Sequence, residues 1–143
     1  MLSVLLSMAL YGCERRMEMK PDISDIVVYG FGGGEPGSPW TELTIKGDGT
    51  LEYFFSSGRD RMRREIKLSS EDTQKLLQAL VDDGLFQLRS EKTQGADIPS
   101  ITIKAHIGGR NHNARIDITS KRSEQWQRII GRFQRLLKTA LPN

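Results

Sequence analysis

The chain has 143 residues, 37% hydrophobic and 27% charged, which fits one domain with a short appendage, large enough to bury a core without staples. A single cysteine excludes an internal disulfide, and one cysteine with two histidines excludes the classical zinc patterns. A net charge of +3 is a weak field over this length and falls short of the basic stripe that marks nucleic-acid binding, so no nucleic-acid partner is expected.

No charged residue occurs between Leu2 and Gly12. This apolar run is too short for a bilayer-spanning helix, which needs roughly 20 residues. It matches the apolar region of a secretory signal, about 7–15 residues long. Polar residues follow at once, from Glu14, Arg15 and Arg16 onward. Leu10-Tyr11-Gly12-Cys13 resembles the lipobox of bacterial lipoproteins, which reads Leu, a small residue, Gly or Ala, then Cys. In such proteins the cysteine thiol takes a diacylglyceryl group, and a membrane-embedded peptidase cuts before it. Gly12 leaves the cleavage pocket unobstructed, and Leu10 fills an apolar subsite. Tyr11 is larger than the residue usual there, and no Lys or Arg precedes the run.

The resemblance implies that residues 1–12 are a lipoprotein signal peptide, cut between Gly12 and Cys13. Cys13 would then carry the acyl chains, palmitate among them, since two or more chains are needed for stable anchoring. It also implies a lipid-anchored place in the bacterial cell envelope, with the domain facing the periplasm or exterior. The alternatives are a plain secretory signal or short anchor, and a short buried helix with a packed cysteine.

Residues 13–24 are polar without periodicity and read as a tether, leaving a single domain over 25–143. "SDIVVYGF", residues 24–31, is rich in β-branched and aromatic residues and predicts a first strand. "GGGEPGSP", residues 32–39, predicts a turn. It lacks the Gly-Lys-Ser/Thr and the helix start that a phosphate-binding loop requires.

Residues 40–55 predict a hairpin turning at Gly47-Asp48-Gly49. That turn pairs Ile45 with Leu51 and Leu43 with Tyr53, and it puts all four on one face. "RMRREIKL", residues 61–68, predicts a further, less apolar strand. Residues 69–83 predict a helix. Ser69 is its N-cap, and Glu71 and Asp72 lie in the first turn. Leu76, Leu77, Leu80 and Val81 form its apolar stripe, and Gly84 ends it. Residues 100–118 predict a second hairpin turning at Gly108-Gly109, with Ala105 opposite His112, Ile103 opposite Ala114 and Ile101 opposite Ile116. A second helix, about 124–139, buries Trp126, Ile129, Ile130, Phe133 and Leu137.

Single apolar faces on strands and helices point to an α+β two-layer sandwich. Its antiparallel sheet would have five to six strands and carry both helices on one side. "LTIK" at 43–46 and "ITIK" at 101–104 each open a hairpin followed by a helix, the trace a ββα duplication would leave. Taken together, "GGGEPGSPWTELTIKGDGTLEY", "LSSEDTQKLLQALVDDGLFQL", "DIPSITI" and "IGGRNHNARI" resemble a family of small bacterial domains of unknown function, often carried on lipoproteins. The resemblance covers residues 26–137. It implies the fold and the envelope location, and it attaches no activity or substrate.

Chemistry is sparse in this pattern. His106 and His112 fall on opposite faces of the second hairpin, so they cannot share a metal, and His112 reads as a partly buried, hydrogen-bonded residue. No nucleophile elbow occurs. No metal, cofactor or catalytic residue is expected. Asp97, in the Asp-Ile-Pro loop before a strand, reads as a turn cap or as a ligand contact. Arg128, Arg132 and Arg135 follow one side of the last helix, either as a solvated face or as a surface for an anionic partner. The favoured expectation is an envelope domain that binds a protein partner or serves a structural role. The alternatives are a small envelope enzyme and an inhibitor-like module. A sheet face gathering Tyr29, Trp40 and Phe54 would favour partner binding, whereas a deep pocket with converging titratable groups would favour an enzyme.

Overall fold

The structure, a computed structural model, describes residues 19–91 and 97–140. Gly12 and Cys13 therefore lie outside the described residues. Along the chain come β1 (Ile26–Gly32), β2 (Trp40–Lys46), β3 (Thr50–Ser57), β4 (Asp60–Lys67) and helix α1 (Ser70–Asp82). A single 3-10 turn (Leu85–Gln87), β5 (Ser100–Ile107), β6 (Arg110–Asp117) and helix α2 (Glu124–Ala140) follow. The strands form one antiparallel sheet in the order β4-β3-β2-β1-β5-β6. This is the expected α+β sandwich.

Both hairpins have the predicted register, with Ile45 opposite Leu51 and Ile101 opposite Ile116. The β5–β6 turn needs a positive φ at both central positions, and Gly108 and Gly109 supply 58° and 76°. β2 and β5 flank β1, where Leu43 and Ile103 both lie opposite Tyr29. The "LTIK" and "ITIK" tetrapeptides thus sit two residues out of step about β1.

The strands alternate strictly, so one face collects Val27, Tyr29, Leu43, Ile45, Leu51, Ile103 and Ile116, all buried. Both helices cover that face. α1 contributes Leu77 and Leu80, while α2 contributes Trp126, Ile129, Ile130 and Phe133. Burying each such side chain stabilises by about 1.5–3 kcal/mol. Phe133 stacks on Tyr29, with ring centroids 4.5 Å apart and planes 7° apart. Ser69 caps α1, its Oγ accepting from the Asp72 N–H at 3.1 Å.

Both sheet edges are guarded. Residues 88–91 run beside β6, where Glu91 N–H donates to the Arg115 carbonyl at 3.0 Å and Arg115 N–H to Ser90 Oγ at 2.9 Å. At the other edge β4 exposes Arg61, Arg63, Glu65 and Lys67. Of the expected tether, residues 13–24, the structure describes residues 19–24. Met19 packs against the core, and its N–H donates to Gln78 Oε1 at 3.1 Å. Asp22 then begins a turn, its Oδ1 accepting from the Ser24 N–H at 2.8 Å. Among the described residues no helix is long and apolar enough to cross a membrane.

Candidate functional site

Strand alternation sends every second residue away from the helices, and no described element covers that second face. In the middle of it Trp40 lies on Gly30. A side chain at Gly30 would run into Cζ2 of the indole, so the glycine of β1 makes the seat. Trp40 Nε1 donates to Glu42 Oε2 at 3.4 Å. Glu42 sits opposite Phe54, and Phe54 opposite Arg63. The Arg63 guanidinium lies over the Phe54 ring, 5.7 Å from its centroid.

A shallow depression of about 170 Å³ runs between Glu42, Thr44, Glu52, Phe54 and Arg63. Beside it Lys46 Nζ pairs with Glu52 at 2.6 Å. The hydrogen bond that the Lys46 ammonium donates to that carboxylate holds its pKa above the ordinary range. A second depression of about 270 Å³ lies on the same face near Ile26, Val28, Lys104, His106 and Asn113. The face thus combines two half-exposed aromatics, an arginine, and apolar patches of the central strand.

Of the sequence candidates, Trp40 is on this face. Tyr29 is not: it points into the helix layer and is 2% exposed, so the trio of Tyr29, Trp40 and Phe54 is reduced to a pair. Asp97 is exposed in the loop before β5, and its carbonyl packs on Gly34. Gly33 lies against the Trp40 ring, so the triple-glycine loop wedges between Trp40 and Asp97. Its glycines serve close packing.

Arg128, Arg132 and Arg135 belong to the opposite layer. Arg132 Nε donates to Asp83 Oδ2 just beyond α1, tying the two helices together. Arg128 Nη1 lies 3.9 Å from Glu124 Oε2. Arg132 and Arg135 line one shallow groove with Leu76 and Leu136. Arg132 and Arg135 therefore share a groove, while Arg128 stands apart beside Glu124.

The histidines part as expected. His112 Nε2–H donates to the Leu88 carbonyl at 2.9 Å, and its ring meets the edge of Phe86. Arg110 covers Phe86, 3.9 Å from the ring centroid. His106 Nδ1–H donates to Asn111 Oδ1 at 2.7 Å. Among the described residues no three His, Cys, Asp or Glu converge as a metal site.

Three features escaped the sequence reading. Gly30 carried a signal, since a glycine inside a strand often marks a close approach. Asp25 sits three residues after Asp22, the spacing of a turn, and it is buried with both carboxylate oxygens engaged. The third is a cavity beside Tyr29, which no local pattern announces. Comparison with protein-family models and with curated proteins finds no match to this chain.

Proposed function

We propose that this chain is a lipid-anchored bacterial envelope protein whose domain binds a protein partner through the bare face of its sheet. The observation that carries the reading is the one-sided cover: both helices pack on one face, and the other presents Trp40, Phe54 and Arg63 together. Trp and Arg dominate binding energy at protein interfaces, and large aromatics bury much area for few frozen torsions. The depressions on this face, about 170 and 270 Å³, fall below the roughly 300–1,000 Å³ of small-molecule sites and suit the relief of a protein surface. Blocking another protein's site would be one form of the same binding.

The anchor half of the proposal rests on Leu10-Tyr11-Gly12-Cys13 and on the resemblance to small lipoprotein-borne domains. Detergent phase partitioning tests it. The wild type should enter the detergent phase, and Cys13→Ser should stay in the aqueous phase. Equal partitioning of the two would reject lipidation. The binding half is tested by a photo-crosslinking residue placed in intact cells at Thr102, on the bare face, or at Gln127, on the exposed side of α2. Adducts should form from position 102 alone and disappear with Trp40→Ala. Adducts of equal yield from both positions, or from neither, would reject the bare face as the docking surface.

A further inference from the structure

A pocket of about 360 Å³, open to solvent on one side, lies between the end of the sheet and the C-terminal half of α2. It belongs to the helix layer, so it is independent of the bare face. Phe31 and Ile101, neighbours across β1 and β5, form one wall. Leu137 faces them from α2, and Ile118, 37% exposed, stands at the mouth.

Polar groups converge at the same place. Tyr29 forms part of the lining and is 2% exposed, with its ring fixed by stacking on Phe133. Its hydroxyl has no hydrogen-bond partner among the described residues. The hydroxyl faces the open pocket, where a ligand can accept its proton. Arg122, Lys138 and Gln134 complete the lining, and neither cation has a carboxylate within ion-pair distance among the described residues.

We infer that this cavity binds a small amphipathic carboxylate, with its apolar body between Phe31, Ile101 and Leu137 and its carboxylate held by the Tyr29 hydroxyl and Arg122. Each half of the ligand answers an observation. The apolar wall needs a hydrocarbon body. The hydroxyl and the guanidinium both line the pocket and suit an anionic acceptor, for which hydrogen bonds are short and strong. Burial pushes the Tyr29 hydroxyl up to about 12, with the Arg122 charge pulling the other way. The phenol therefore remains a neutral donor at physiological pH, within reach of the Arg122 field. The volume is near the lower end of the roughly 300–1,000 Å³ typical of small-molecule sites, which favours a short chain or single ring.

Calorimetric titration with octanoate tests the inference on the full-length chain carrying Cys13→Ser, so that neither acyl chain nor detergent competes. Octanoate should bind saturably at one site, at least about tenfold tighter than octanol, acetate or inorganic phosphate. Arg122→Gln should weaken it about tenfold or more. Tyr29→Phe should weaken it about fivefold while keeping the stacked ring and the wild-type unfolding midpoint at neutral pH. If Arg122→Gln fails to fold, Lys138→Gln at the exposed rim serves instead, with about a threefold loss expected. Absence of saturable binding at millimolar octanoate would overturn the inference. So would octanol or phosphate matching octanoate, or unchanged affinity in the arginine and tyrosine variants.

Discussion

Replacing Asp25 tests how the sheet is held at its centre. Asp25 is 2% exposed, directly before β1. One carboxylate oxygen accepts from the Asp22 N–H at 2.8 Å, and the other accepts from the Gly108 N–H at 3.0 Å. Its carbonyl accepts from the Gly47 N–H at 2.7 Å. This residue therefore joins the chain entry to the turns of both hairpins, on the two sides of β1. Asp25→Ala removes two hydrogen bonds to a charged acceptor, each worth about 1.5–3 kcal/mol. Gly108 is exposed, so water recovers part of that loss, and the expected destabilisation is about 2–4 kcal/mol. That is a drop on the order of 10 °C in Tm for a domain of this size. Asp25→Asn keeps the shape but turns an amide donor toward one of the two N–H groups, and should cost roughly 1–2 kcal/mol. Urea unfolding followed by circular dichroism measures both, with the midpoint moving and the slope unchanged. An Asp25→Ala midpoint equivalent to less than about 0.5 kcal/mol of change would refute the assignment.

Gly47→Ala should destabilise by about 3 kcal/mol in the same urea assay, because the added carbon would run into the Asp22 carbonyl oxygen. The Arg132–Asp83 pair is partly buried, with side chains 34% and 18% exposed, so a double-mutant cycle to alanine should give a coupling of about 1 kcal/mol between the helices. The Tyr29 hydroxyl is raised by burial from 10.0 to about 12, so its contribution is fully present below pH 10 and is lost as pH rises toward 12. Wild type should lose roughly 3 kcal/mol through this group over that window, and the difference between wild type and Tyr29→Phe in alkaline urea titrations should show it.

Where the sequence was legible, two local signals agreed. In the hairpins, a turn with an obligatory glycine sets the pairing, and alternation on both strands confirms it. Ile45 and Leu51 could not face the core unless Leu43 and Tyr53 did so too. α1 was legible for the same kind of reason, with Ser69, Glu71 and the stripe through Leu77 and Leu80 all marking one helix. β1 carried no such cross-check. "IVVYGF" is apolar on both faces because the strand is central, flanked by β2 and β5, and a strand apolar on both faces hides which side meets the helices. Hence Tyr29 could be grouped with Trp40 and Phe54, although it points the other way. The Asp25–Gly108 bond, the Arg132–Asp83 pair and the pocket share a different cause of invisibility. Each joins residues at least 49 positions apart or at the far ends of β1 and α2, and no periodicity within one element encodes such a meeting.

The orientation of β1 is what makes the two faces functionally unlike. Had Tyr29 lain beside Trp40, the bare face would hold three aromatics and the pocket in the helix layer would lack its phenol. Instead, the strict alternation of Val27, Gly30 and Tyr29 divides the strand's resources. Gly30 gives Trp40 a flat seat on the outside, while Tyr29 carries a hydroxyl into the inside. A one-residue slip of β1 would exchange both at once. The hydrogen bonds of Asp25 to Gly47 and Gly108 oppose that slip, because they fix the start of β1 against both hairpin turns. Weakening Asp25 should therefore disturb the Trp40 seat and the Tyr29 cavity together, and each of those changes should scale with the loss of stability rather than precede it.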